Sequence, residues 1–221
     1  SANHIFDLTF GCASGSLLSS AHNQFTKKKN IYNQMAQVLM GYDSTGSIQQ
    51  FDEDGDLLVG GNKLREVFIM PFTRLLSKDE IKKETFELVI GTGSYSSGGQ
   101  SFAAADRVTI TDLGASTSYK SNSPAGDYGI LYATGSRMNL SSTHKLTASN
   151  GNVYWNAGLI FYQAGIVVLT GSIFGTQLNG PVDSMNGVDP INGLLTGSTI
   201  DNISNAFRHR IYNMQFNNTT E

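Results

Sequence analysis

Apolar residues in this chain of 221 residues come in short runs, separated by stretches rich in glycine, serine and asparagine. Phe86 to Ile90, Val108 to Thr111, Tyr128 to Ala133, Val153 to Trp155, Gly158 to Tyr162 and Ile166 to Leu169 are of strand length. They are rich in β-branched and aromatic residues, which fit a pleated surface. The glycines and asparagines between them supply turn conformations. Such a pattern folds into strands that reverse repeatedly, not into a helical bundle. Gln163-Ala164-Gly165 allows a bend or bulge between the last two runs, a region expected to be the most buried. Residues 4–10 alternate weakly and read as a short strand or packed arm. The run from Arg65 to Leu76 contains Pro71, which has no N–H for a ladder, so an edge strand or a bulge is expected there.

One stretch departs from this pattern. From about Ser20 to Met40, Ala21, Phe25, Ile31, Tyr32, Met35, Val38 and Leu39 mostly follow a three-and-four spacing, and Gly41 supplies a stop. Phe25, Met35 and Leu39 are expected to point inward, with Lys27, Lys28 and Lys29 facing solvent or an acidic neighbour. Ser77 and Glu80 have capping-box spacing for a short helical turn. Thr199 can cap a helix that places Ile200, Ile203 and Phe207 on one side. The expected fold class is α+β: β-rich, with antiparallel sandwich-like sheets, one N-terminal helix and one short C-terminal helix. An arm and helix would occupy residues 1–41 and a β-rich domain residues 42–221.

Charged residues make up 15% of the chain, against roughly 25% in ordinary soluble domains. A surface with so few ions is readily buried against neighbours, which suits a subunit of an assembly and equally an ordinary β-rich domain with long loops. Net charge is −3. The basic clusters at Lys27–Lys29 and Lys82–Lys83 are not interleaved with aromatics, so no nucleic-acid partner is expected. The lone cysteine, Cys12, allows no intrachain disulfide and reads as a small buried residue of a protein folded in a reducing compartment. The first residues carry no leader pattern, and the apolar stretch from Ala157 to Phe174 is too short and too polar to span a bilayer. No membrane partner is expected.

Tyr42-Asp-Ser-Thr-Gly-Ser-Ile48 is echoed nine residues later by Phe51-Asp-Glu-Asp-Gly-Asp-Leu57. In each, an Asp is placed to accept backbone N–H groups and a Gly to reverse the chain. Two such turns read as a small ribbon suited to contacts, with Tyr42, Asp43, Phe51, Asp52 and Asp54 as candidate interface residues. Asp52, Asp54 and Asp56 suggest calcium, but a calcium loop wants Gly at its sixth position and Glu at its twelfth. Here Gly is fourth and Lys63 is twelfth, so no metal is expected. The four histidines have no ligand spacing, the Gly91–Gly99 stretch lacks the Lys of a phosphate loop, and no Gly-x-Ser-x-Gly elbow occurs. No catalytic residues or cofactors are expected. Tyr154 and Trp155 read either as core or as a sugar-binding platform. A cell-wall hydrolase would need paired carboxylates in a cleft, and the acidic residues here fall in turns.

Four phrases carry a family likeness: His4-Ile-Phe-Asp-Leu-Thr-Phe-Gly-Cys-Ala-Ser-Gly-Ser16, Asn23-Gln-Phe-Thr-Lys-Lys-Lys-Asn-Ile-Tyr-Asn-Gln-Met-Ala-Gln37, Asn122-Ser-Pro-Ala-Gly-Asp-Tyr-Gly-Ile-Leu-Tyr132 and Leu159-Ile-Phe-Tyr-Gln-Ala-Gly-Ile-Val-Val-Leu-Thr170. They resemble virion structural proteins of contractile-tailed phages, the marine myovirus type in particular. The resemblance implies a tail or baseplate subunit, assembled in the host cytoplasm with copies of itself and other virion proteins, on a polypeptide that continues past Glu221. It transfers no functional residue. The alternatives are a receptor- or carbohydrate-binding module of a fibre and a neck- or capsid-associated structural protein. Trp155 is expected buried in a structural subunit and exposed in a binding module. In an assembly, residues 91–105 and 171–198, poor in apolar side chains, would be ordered by neighbouring chains.

Overall fold

The computed structural model describes residues 4–14, 23–57, 62–73, 79–91, 102–135, 145–147, 151–171, 195 and 197–219. The chain runs β1 (Thr9–Cys12), α1 (Phe25–Leu39), β2 (Glu66–Pro71), β3 (Glu80–Ile81), β4 (Glu87–Gly91), β5 (Arg107–Thr111) and the single turn α2 (Ala115–Ser118). It continues through β6 (Tyr128–Thr134), β7 (Lys145–Thr147), β8 (Val153–Phe161), β9 (Ile166–Thr170), α3 (Ile200–Arg208), β10 (Ile211–Gln215) and β11 (Asn218–Thr219). One antiparallel sheet has the order β1-β2-β9-β8-β6-β5-β4-β10, with β7 beside the first half of β8. A small second sheet pairs β3 with β11. The protein is a β-rich α+β fold with one helix near each end, as its apolar pattern predicts.

The sheet curls. β2 and β4 lie five strand positions apart, which at ordinary spacing is about 24 Å across a flat sheet. Yet the ring centroids of Phe72, just past β2, and Phe86, just before β4, are 6.3 Å apart. Phe72 also meets Phe6 of the N-terminal arm at 6.3 Å and Phe216, beyond β10, at 4.9 Å. The two ends of the sheet therefore meet through aromatic rings at this end of the molecule. Phe68, Met70, Leu88, Ile90, Val108, Ile110, Ile160 and Val167 line the concave side, where Ile203 and Phe207 of α3 join them. Alternate residues of the same strands, Val67, Ile69, Leu159, Phe161 and Val168, face the other way and pack under Tyr32, Ala36 and Leu39 of α1. Both faces are thus covered, and the central strands read as continuous apolar runs because of it.

Two glycines permit close approaches. A Cβ on Gly11 would lie 2.9 Å from the Tyr32 backbone nitrogen, so β1 and α1 touch backbone to backbone. A Cβ on Gly158 would overlap the Val168 carbonyl at the point where β8 bulges against β6.

Several expectations are corrected. The helix is Phe25–Leu39, and its buried stripe is Lys28, Tyr32, Ala36 and Leu39. Phe25 and Met35 are only half-buried and Val38 is exposed. Lys28 is not solvated: its stem crosses the helix–sheet interface and its amine meets backbone carbonyls. β2 is not an edge strand; it lies between β1 and β9, and Pro71 is tolerated because it is the last residue of the strand. Glu80, read as half of a capping box, belongs to β3; Ser77 lies outside the described residues. β7 arises in residues 139–152, a polar stretch expected to be loop. Most of residues 91–105 and 171–198 also lie outside the described residues.

Candidate interface at the paired turns

The two echoed turns form as the residues dictate, but in different surroundings. In the first, Asp43 Oδ1 accepts the Thr45 N–H at 2.8 Å, the Ser47 N–H at 2.9 Å and the Thr45 hydroxyl at 2.7 Å. The Thr45 hydroxyl, then the Ser47 N–H, hold the Asp43 carboxyl below its usual range. Tyr42 bridges Ile48 across the turn, and Gly46 takes the left-handed conformation that closes it. Tyr42 is 56% exposed, and Val38, one helical turn before it, is 63% exposed.

The second turn is built into the body of the protein. Asp52 Oδ1 accepts the Asp54 N–H at 3.2 Å and the Gly55 N–H at 3.0 Å, while Lys63 pairs with Oδ2. Burial works against the Asp52 charge, but hydrogen bonds from Asp54 and Lys63 outweigh it and keep the carboxyl low. Asp54, by contrast, is raised, chiefly by its hydrogen bond with Asp52 and then by burial. Phe51 sits against Tyr32 with centroids 5.3 Å apart, and the Tyr32 hydroxyl donates to the Leu64 carbonyl at 2.7 Å. Asn122 Nδ2 donates to the Gly55 carbonyl at 3.2 Å. Phe51 and Asp52 are consequently buried and present no surface. Of the five candidate interface residues, Tyr42, Asp43 and Asp54 reach it.

One carboxylate oxygen from each of Asp52, Asp54 and Asp56 lies within 4.8 Å of the others. Asp52 already holds an ammonium group, and its other oxygen serves two backbone amides. Asp54 shares a hydrogen bond with Asp52 and accepts the Asp56 N–H at 3.2 Å, so the cluster falls far short of the six to eight oxygens calcium takes.

Sequence reasoning missed a second polar cluster. Asp112 is buried and accepts the Glu84 N–H at 2.7 Å, the Phe86 N–H at 3.1 Å and the Tyr162 hydroxyl at 3.0 Å. Burial raises its pKa, and the three donors partly offset that. Lys83 pairs with Asp127 at 3.0 Å and lies over the rings of Tyr119 and Tyr162 at 4.7 and 5.3 Å. A shallow groove of about 370 Å³ opens beside Asp112, lined by residues 84–87, 111–113 and Gln215. Both Asp112 oxygens are turned into the fold, where they close the link between β3 and β4. Asp112-Leu-Gly-Ala is legible as a turn, but nothing in the sequence pairs it with Tyr162.

Trp155 falls between its two expected states. It is half-buried and packs at the rim of the concave core. No family model matches this chain, and no curated protein or solved structure matches it.

Proposed function

We propose that this chain is a non-enzymatic structural subunit of a contractile-tailed phage particle, placed in the tail or baseplate and acting through contacts with other virion proteins and with its own copies. One observation carries the reading furthest. The four phrases that resemble such proteins, far apart in the sequence, fold into one unit. They supply β1, α1, the turn into β6, and the β8–β9 hairpin. Ser123 of the third phrase donates its hydroxyl to the Leu39 carbonyl at the end of α1. Tyr32, Tyr128, Leu159, Phe161 and Val168 then share one cluster. The low charge of the sequence and the exposed Val38–Tyr42 corner suit burial against a neighbour.

Sedimentation of the purified chain over a wide concentration range tests the self-contact. Reversible association is expected, weakened when Val38 and Tyr42 are both changed to Asp. A monomer at every concentration removes the copy-to-copy contact from the reading. The half-exposed Trp155 favours one second reading, a carbohydrate-binding module. Trp155 is the sole tryptophan, so a saturable change in its fluorescence on adding oligosaccharides would support that instead.

A further inference from the structure

Helix α1 buries one apolar stripe and leaves a second at the surface. Ile31, Met35, Val38 and Tyr42 follow a four-three-four spacing, the seam of paired helices. Val38 and Tyr42 are the most exposed large apolar side chains among the described residues, while Ile31 and Met35 are half-buried beside the helix–sheet core. Asn30, Gln34 and Gln37, all exposed, flank this seam with uncharged amides. An exposed apolar strip with a polar rim is the signature of a contact surface.

Charge sits at the two ends of the seam. Lys27, one turn before Ile31, is exposed and has no partner among the described residues. Its neighbours are engaged: the Lys28 amine meets two carbonyls, and the Lys29 amine lies 5.8 Å from the centre of the Phe25 ring. At the other end Asp43 follows Tyr42. Its hydrogen bonds with Thr45 and Ser47 all fall on Oδ1, which leaves Oδ2 open. The helix also carries its charge against its dipole, with three lysines near the N-terminus, no acid in the first turn and no base in the last. A cation brought to its C-terminal end would be stabilising.

We propose that this stripe docks on the same stripe of a second copy, the two α1 helices lying antiparallel about a two-fold axis, a pairing that rests on the self-association read above and names the surface behind it. The four-three-four spacing reads alike in both directions. Two-fold pairing therefore sets Ile31 against the second copy's Tyr42, and Met35 against its Val38. Lys27 then lies beside the second copy's Asp43, near the C-terminal carbonyls of that helix, and the contact occurs twice. Parallel helices would set lysine against lysine and Asp43 against Asp43, which repels.

Disulfide trapping in the full chain tests the pairing, since the single native cysteine, Cys12, is fully buried. Ile31→Cys and Tyr42→Cys, mixed and mildly oxidised, should cross-link to each other. Ile31→Cys alone should not, because the two copies of that position lie about 16 Å apart along the axis, beyond the reach of a disulfide. Lys27→Glu, at an exposed site outside the core, should raise the dimer dissociation constant by roughly tenfold at low salt and much less at high salt. Sedimentation reads that change whether or not the cysteine variants fold. Self-linked Ile31→Cys overturns the antiparallel arrangement. Association without the mixed cross-link between folded variants, or with a dissociation constant untouched by Lys27→Glu, overturns the α1 docking and leaves self-association to another surface. A wild type that stays monomeric overturns both.

Discussion

At the scale of single residues, the decisive chemistry is the burial of a few polar groups, each satisfied within the fold. Asp52 illustrates it: a carboxylate with no exposed surface, held by two backbone amides and Lys63. Removing one partner of a buried pair strands the other. Lys63→Met is expected to cost about 3 kcal/mol in chemical denaturation, at the low end for buried pairs because the two amides remain. The pH dependence has a definite sign. The folded Asp52 carboxyl is depressed, so its contribution is present above the unfolded carboxylate range and disappears as pH falls through the folded value. Lys63→Met should therefore flatten the acid limb of the stability curve. Millimolar calcium should leave the melting temperature of the wild type unchanged; a rise of several degrees would show that the three aspartates hold an ion. Asp112→Ala leaves the Glu84 and Phe86 amides without acceptors and is expected to cost about 3 kcal/mol. Stability within about 1 kcal/mol of wild type would show that the Asp112 cluster is dispensable.

At the scale of elements, strands and caps were legible where a local signal decides them. The six short apolar runs fall on β4, β5, β6, β8 and β9, with two of them fused into β8. Thr199 accepts the Asn202 N–H at 3.3 Å as an N-cap, as its place before Ile200 suggests. Thr199→Ala should lower stability by about 1 kcal/mol. Illegible elements were those set by tertiary partners. β7 exists because β8 extends past β9 and leaves a free edge beside it. The inward face of α1 was misjudged because a lysine lies on it. Periodicity counts Lys28 as polar, but its four-carbon stem packs as an apolar side chain once two carbonyls receive the amine. The observed stripe moves the sensitive positions. Ala36→Asp should destabilise severely, whereas Phe25→Asp, at a half-buried site, should be milder. The order of their denaturation midpoints checks the face.

At the scale of the whole molecule, a nine-stranded sheet curls until Phe6, Phe72, Phe86 and Phe216 meet, and helices cover its two faces. This closure could not be read from the sequence, since the four phenylalanines belong to different segments and no spacing connects them. The candidate interface was only partly legible for a related reason. The two turns look alike as sequence, but α1 and β6 enclose the second and leave the first on the surface. Function at this scale is a question of neighbours. A cryo-electron microscopy map of contractile-tailed particles from the source, with this chain traced by its side chains, tests the account most directly. It should place many copies in the tail or baseplate, with Val38 and Tyr42 covered by adjacent chains. Absence of the chain from the particle, confirmed by mass spectrometry of the same preparation, would contradict the central claim.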